Sequence, residues 1–318
     1  MARKVILDVD TGTDDAVAVM LAALHPAIDL VGCTTVNGNI PVQYCTDNTL
    51  RVLDHIGRGD IPVYEGLSRP LARLDFPVPR RERDSSGKYH PDALPVPAAI
   101  SSKQGVGAVE FLIETFRATT EEIVLVPVGP LTNIAAALAL DPGFASRVPE
   151  VVVMGGAHAL GNVTPSAEFN IWADPEAAAM VFAAGFEKLT LVPLDATHRA
   201  LVTRAQCEEL EALGTPAGQA AAAFIGHRIG VHDAHQKQDV PHATPVHDAL
   251  AVGTVIDPSL VATRRLHVAV ETQGKLTVGR TVIDTHFRGG EAANADVAFD
   301  ADAARFFDLL LRTFAAKA

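Results

Sequence analysis

The chain has 318 residues, 48% of them hydrophobic and 20% charged, with a formal net charge of -12. That acidity excludes a phosphate-binding nucleic-acid surface, which needs clustered Lys and Arg, and no apolar run of about 18 residues offers a membrane span. Cys33, Cys45 and Cys207 have neither CxxC spacing nor an even count, which disfavours a disulfide framework or thiolate zinc site; with no leader-like segment after Met1, a cytoplasmic protein is expected.

In chain order, β-branched runs alternate with alanine-rich helical stretches. VILDVD precedes a helix from about Asp14 to Leu24, and IDLVGCTTV precedes one around Val42 to Ile56. The unit repeats as EEIVLVPVG before LTNIAAALAL, EVVVMGGA before PEAAAMVFAAG, and KLTLVPLDAT before a helix from about Thr203. RRLHVAVETQ and LTVGRTVID read as an antiparallel hairpin, and a last helix runs from about Asp302 to Phe314. The expected fold class is α/β, a single domain over residues 1–318 with a mostly parallel, twisted, Rossmann-like sheet flanked by helices. Residues 76–104, with five prolines, and residues 226–245 interrupt the rhythm and read as active-site loops.

Ligands of open α/β sheets bind beyond the carboxyl ends of the strands. Asp8, Asp10, Asp14 and Asp15 fall there within eight positions, joined by Asn37 and Asn39, the GPLTN turn, Asn162, Glu168 and Asn170, and the pair His247 and Asp248. So many carboxylates with few basic neighbours in sequence call for a hard divalent cation. Plainer alternatives stand beside this one. Asp14 and Asp15 suit the first turn of a helix, Glu168 and the asparagines suit capping turns, Pro175 suits a helix start, Trp172 suits the core, and His247 alone suits a helix entry. An EF-hand fails, because counting from Asp8 puts Val19 where the loop needs Glu. DVDTG also resembles the Asp-x-Asp start of the haloacid-dehalogenase-like magnesium phosphatases, which would make Asp8 a nucleophile, but no lysine with a late carboxylate pair accompanies it.

Taken together, DVDTGTDDAVAVML, VPVGPLTNIAAAL, VVVMGGA, GNVTPSAEFNIWADPEAA and PVHDALAV resemble the nucleoside hydrolases, the inosine-uridine-preferring ribohydrolases, in order from residue 5 to residue 252. The resemblance implies hydrolysis of ribonucleosides to ribose and free base, a bound calcium ion (Ca2+), and a homodimer or homotetramer. It makes Asp10, Asp15 and Asp248 calcium ligands, with the backbone carbonyl of Val128. It gives the ribose hydroxyls to Asp14, Asn39, Asn162, Glu168, Asn170 and the main chain near Met154. His247 would lie beside the base. Cleavage passes through an oxocarbenium-like sugar, so Asp10 is expected to take the proton of the attacking water, and His247, with an ordinary pKa near 6.5, to donate to the leaving base.

Base contacts are less legible. Where the family carries an HGxxGL-like string this chain reads ERDSSGKYHPDAL; only Ser86 and Gly87 match it, with Tyr89 or His90 as substitutes. The second loop offers His227, Arg228, His232, His235 and Gln236, for which a solvated flap is the plainer alternative to base contacts; a zinc site there is disfavoured because the carboxylate cluster already accounts for the chemistry. A nucleoside-binding protein without turnover is the remaining alternative.

Overall fold

The computed structural model describes residues 2–73, 89–236 and 238–316. Its first half alternates β1 (Arg3–Val9), α1 (Thr13–Leu24), β2 (Ile28–Thr35), α2 (Val42–His55) and β3 (Val63–Glu65). Then follow α3 (Ala108–Ala118), β4 (Ile123–Pro127), α4 (Thr132–Leu140), α5 (Phe144–Arg147), β5 (Glu150–Met154), α6 (Phe169–Ala173), α7 (Pro175–Ala183) and β6 (Leu189–Val192). The last third holds α8 (Leu194–Thr197), β7 (Leu201–Thr203), α9 (Arg204–Ala212), α10 (Pro216–His235), β8 (Ala243–Pro245), α11 (His247–Ile256), β9 (Val261–Leu266), β10 (Val268–Val270), β11 (Thr281–Ile283), β12 (Ala295–Ala301) and α12 (Ala303–Ala315).

Eight strands form one sheet in the order β3-β2-β1-β4-β5-β6-β12-β9. Every pairing is parallel except β12 with the edge strand β9. The expected late hairpin is the antiparallel pair β10–β11. Strand order reverses between β1 and β4, and a crevice opens at such a reversal beyond the carboxyl ends of the strands.

Side chains alternate across the sheet and build two cores. Val5, Leu7 and Val9 of β1 join α1, α10 and α11 on one face, while Ile6 joins Leu112, Ile134 and Val181 on the other. α1 is buried from Thr13 to Ala23, as a helix apolar on every side must be. It packs against α2, α10 and α11, which brings its N-terminus to the crevice.

One expected loop is not a loop. Residues 226–235 are the second half of α10, whose start is set by Pro216 and by Thr215, its Oγ1 accepting from Gly218 N at 3.1 Å. Gly226 and Gly230 together with three histidines hide the helix in the sequence, each glycine costing about 1 kcal/mol against alanine, yet Phe224, Ile225, Ile229 and Val231 are buried at helical spacing. Of the other expected loop, residues 76–88, with Ser86 and Gly87, lie outside the described residues, and 89–104 holds no helix or strand. Cys33, Cys45 and Cys207 are free and buried, and Trp172 is in the core. Among the described residues no helix is long and apolar enough to cross a membrane.

Candidate active site

β1 ends at Val9, and the chain turns through Asp10 into α1, so the aspartates lie on the turn and in the first helical residues. Asp15 closes that turn: its Oδ2 accepts from Gly12 N and its Oδ1 from Asp10 N, each at 3.0 Å. Asn39, beyond β2, supports both carboxylates, its backbone N–H donating to Asp10 Oδ2 at 2.6 Å and its Nδ2 to Asp15 Oδ2 at 3.1 Å. α11 starts at His247, which puts Asp248 in its first turn. The positive ends of two helix dipoles thus meet at the cluster and offset part of its charge.

Carboxylate oxygens of Asp14, Asp15 and Asp248 lie within 4.8 Å of one another, all three residues buried. Burial and then the Asp15 charge push Asp10 well above the ordinary carboxylate range. Burial and the neighbouring Asp14 push Asp15 up to about 6, and burial followed by Asp14, Asp15 and Asp10 raises Asp248 strongly. Asp14 behaves differently. Burial raises it, but the charges of Arg228, His90 and His247 outweigh burial and leave it lowered, and its Oδ1 is buried without a hydrogen-bond partner among the described residues. Acceptor-only groups crowded this closely suit a hard divalent cation, so the donor chemistry fits the metal that the resemblance implies. Asp14 belongs to the tight group by geometry, although the sequence reading turned it toward the sugar; Asp10 adjoins that group through Asp15.

Asp8 stands apart. It is wholly buried, its Oδ1 accepting from Thr34 Oγ1 at 2.5 Å and from Asn133 Nδ2 at 2.8 Å. Burial, partly offset by those two bonds, lifts it to about 7. A side chain sealed between β2 and α4 does not present an attacking oxygen to a phosphate.

Across the strand reversal, the Val128 carbonyl after β4 accepts from Asn170 Nδ2 at 2.7 Å, and the Met154 carbonyl from the same nitrogen at 3.3 Å. A carbonyl keeps a second lone pair, so Val128 retains an acceptor site. Glu168 caps α6: Oε1 accepts from Asn170 N at 2.9 Å, and Oε2 from Gly156 N at 2.9 Å and Ile171 N at 3.2 Å. The capping role therefore exists alongside any contact with substrate. Burial, opposed by these amides, brings Glu168 to about 7. Asn162 Oδ1 accepts from Phe169 N at 2.9 Å, fixing the turn before α6. Asn37, buried beyond β2, donates its backbone N–H to Leu67 O at 3.1 Å.

His247 pairs its Nδ1 with Thr197 Oγ1 at 2.7 Å. Burial drives its pKa well below 6.5, so the ordinary value expected from the sequence is not the one this environment sets. The supposed flap is a wall: Arg228 and His232 are buried on α10, while His227 and His235 are exposed on its other side. Arg228 Nη1 lies 3.4 Å from His90 Nε2, and Nη2 lies 3.4 Å from His232 Nε2. Sequence reasoning set these residues aside because the helix that aims them was not seen.

A parallel sheet with buried carboxylates gathered at its strand reversal defines an α/β enzyme built on carboxylate chemistry. The model of the inosine-uridine preferring nucleoside hydrolase family matches residues 5–308, and the chain belongs to that family. The pyrimidine-specific ribonucleoside hydrolase RihA of Shewanella baltica is 38% identical over 311 residues, 98% of this chain and 96% of that one. The RihA of an Escherichia coli strain is 38% identical over 310 residues, 98% and 97% of the two chains. Among solved structures, a plant nucleoside hydrolase superposes with a TM-score of 0.89 at 31% identity, over 99% of this chain and 100% of that one. A purine-preferring ribonucleoside hydrolase from Gardnerella vaginalis also gives 0.89 at 31% identity, over 98% of each chain.

Proposed function

We propose that this nucleoside hydrolase cleaves the N-glycosidic bond of ribonucleosides to ribose and free base, using calcium held by Asp10, Asp15, Asp248 and the Val128 carbonyl. The observation that carries this reading is the convergence of buried carboxylates at the strand reversal, where oxygens of Asp14, Asp15 and Asp248 lie within 4.8 Å of one another. Relatives named for pyrimidine and for purine nucleosides support the class of substrate and leave the base open. One sheet drawing strands from Arg3 to Ala301 supports a single-domain enzyme. A homodimer or homotetramer in the cytoplasm completes the proposal.

Calcium at this position would supply the positive charge that favours ionisation of a water facing the anomeric carbon. Asp10, held at Oδ2 by Asn39 N, accepts the proton from that water. Asp14, its Oδ1 free of donors from the described residues, takes ribose hydroxyls and offers negative charge to the oxocarbenium-like sugar. Glu168 and Asn170 bind the sugar from the opposite wall, and the amides that cap α6 through Glu168 keep that wall in place. His247 stands at the base side, positioned by Thr197.

The test is ribose release from uridine, cytidine, inosine and adenosine, followed by a reducing-sugar assay with calcium present. Ribose from at least one nucleoside is expected. Its absence from all four, with calorimetric binding intact, would establish the silent binding protein instead, and phosphate release from nucleotides the phosphatase.

A further inference from the structure

α8 is a single helical turn, and it is firmly anchored. Leu194, Ala196 and Thr197 are buried, and Leu194 N donates to Gly156 O at 2.9 Å, tying the turn to the end of β5. An aspartate in the first turn of a helix ordinarily serves the amides or the dipole of that helix. Among the described residues no side chain caps α8, and the Asp195 carboxylate reaches back along the chain instead. Its Oδ2 accepts from His158 N at 2.7 Å and its Oδ1 from Ala159 N at 3.1 Å.

Those two amides open the loop that carries Asn162 and delivers the chain to Glu168. Its far end closes on itself: Ala167 O accepts from Asn162 N at 3.1 Å and from Val163 N at 3.2 Å, while Asn162 Oδ1 accepts from Phe169 N at 2.9 Å. Its near end is fixed at Ala157, whose N–H donates to Thr281 Oγ1 at 2.9 Å and whose carbonyl accepts from that hydroxyl at 2.7 Å. Between these ends the chain passes through half-buried His158 and exposed Ala159 and Leu160. The His158 ring meets Phe299 edge-on, 5.8 Å between centroids, but a side-chain contact leaves the backbone beyond it able to turn. With little apolar burial in this stretch, hydrogen bonds to a carboxylate, roughly twice as strong as neutral ones, set the direction in which it leaves Ala157.

We propose that Asp195 is a positioning residue for the ribose: by holding the His158 and Ala159 amides it aims Asn162 at the sugar, and so sets affinity for nucleosides whatever base they carry. The inference rests on the hydrolase reading and on the sugar wall that belongs to it. Asn162 gives its side-chain oxygen to Phe169 N, which leaves Nδ2 to donate to a ribose oxygen. α8 serves the other side of the site as well, since Thr197, two residues after Asp195, pairs its Oγ1 with His247 Nδ1 at 2.7 Å. One turn therefore spaces the sugar loop from the histidine at the base side. A disturbance of the whole turn would release both, whereas loss of the Asp195 carboxylate alone releases only the loop.

The experiment measures kcat and KM for the two nucleosides, among uridine, cytidine, inosine and adenosine, that the unaltered enzyme cleaves fastest. Asp195→Ala is expected to raise KM about tenfold on both, the two factors agreeing within about threefold. It should change kcat by less than about threefold, because a donor to a hydroxyl meets the same oxygen before and during bond breaking. Asp195→Asn, which keeps one acceptor for the pair of amides, should fall between. Combining Asp195→Ala with Asn162→Ala should cost no more than about threefold beyond Asn162→Ala alone, since residues that act through one another are not additive. Additive losses would overturn the proposal, as would a loss confined to kcat or one that differs between the two bases, the mark of a disturbed contact of Thr197 with His247. If Asp195→Ala does not fold, Asp195→Asn alone and with Asn162→Ala carries the same comparison. An unaltered enzyme that releases no ribose from any of the four would instead overturn the hydrolase reading, and the variants would then be ranked by calorimetric affinity for uridine.

Discussion

Asn133 Nδ2 donates to Asp8 Oδ1 at 2.8 Å and to the Thr35 carbonyl at 2.9 Å, while its Oδ1 accepts from Leu67 N at 3.0 Å. One amide on the first turn of α4 thereby ties β1, β2 and the segment after β3 together below the aspartates. Asn133→Ala removes one of the two donors to Asp8 Oδ1, a donor to the buried Thr35 carbonyl and the acceptor of the Leu67 amide, and is expected to cost about 2–4 kcal/mol of stability, read from urea unfolding. A loss below about 1 kcal/mol would show that water replaces the amide.

The same environment separates Asp8 from Asp10. Asp8 Oδ2 has no partner among the described residues, and Asn at this position keeps an acceptor for Thr34 and Asn133. Asp8→Asn should therefore retain kcat within about tenfold, whereas Asp10→Asn, which removes the group that accepts the water's proton, should lose about 10³-fold or more while the protein still folds. The reverse order of losses would make Asp8 the reacting carboxylate.

Calcium binding should depend on Asp248, the ligand contributed by α11. Asp248→Asn removes one charge from the cluster and is expected to weaken calcium about tenfold or more by calorimetry, because affinity for hard cations follows ligand charge. Prolonged chelation of the unaltered enzyme should abolish ribose release, and added calcium should restore it. Undiminished turnover after chelation would remove the metal from the reaction.

Stability of the calcium-free protein should fall as pH rises. Burial lifts Asp8 from 3.8 and Glu168 from 4.5, both to about 7. Between those limits the folded chain holds protons that the unfolded chain has released, so the stabilisation is complete below about pH 4 and is lost as pH approaches 7. A higher Tm near pH 5.5 than near pH 8 is expected without calcium; a Tm that climbs over this interval would contradict the burial of these groups.

Much of this was legible in the sequence because strands and their following helices are written in local patterns. VILDVD and EEIVLVPVG became β1 and β4, and the polar residues after them met at one crevice because parallel strands end on the same side. α10 was not legible, since Gly226, Gly230 and a run of histidines carry no helical signature while tertiary burial of Ile229 and Val231 decides the matter. With α10 unseen, Arg228 could not be aimed at Asp14. Nor could the partition of the aspartates be read from spacing: Asp14 joins Asp15 and Asp248 through the meeting of α1 and α11, a contact between residues more than two hundred positions apart in the chain.

Two glycines set how far this enzyme can drift. A Cβ at Gly38 would lie 2.1 Å from Asp10 Oδ2, and one at Gly129 would lie 2.9 Å from Asp10 Oδ1. Neither residue has a functional group, yet either substitution must push the carboxylate out of line. In a saturation library scored by growth on nucleosides, both positions should be as intolerant as a nucleophile. Gly226 and Gly230, with open space where a side chain would go, should accept alanine freely, so a map of tolerance would trace the outline of Asp10 from residues that do no chemistry.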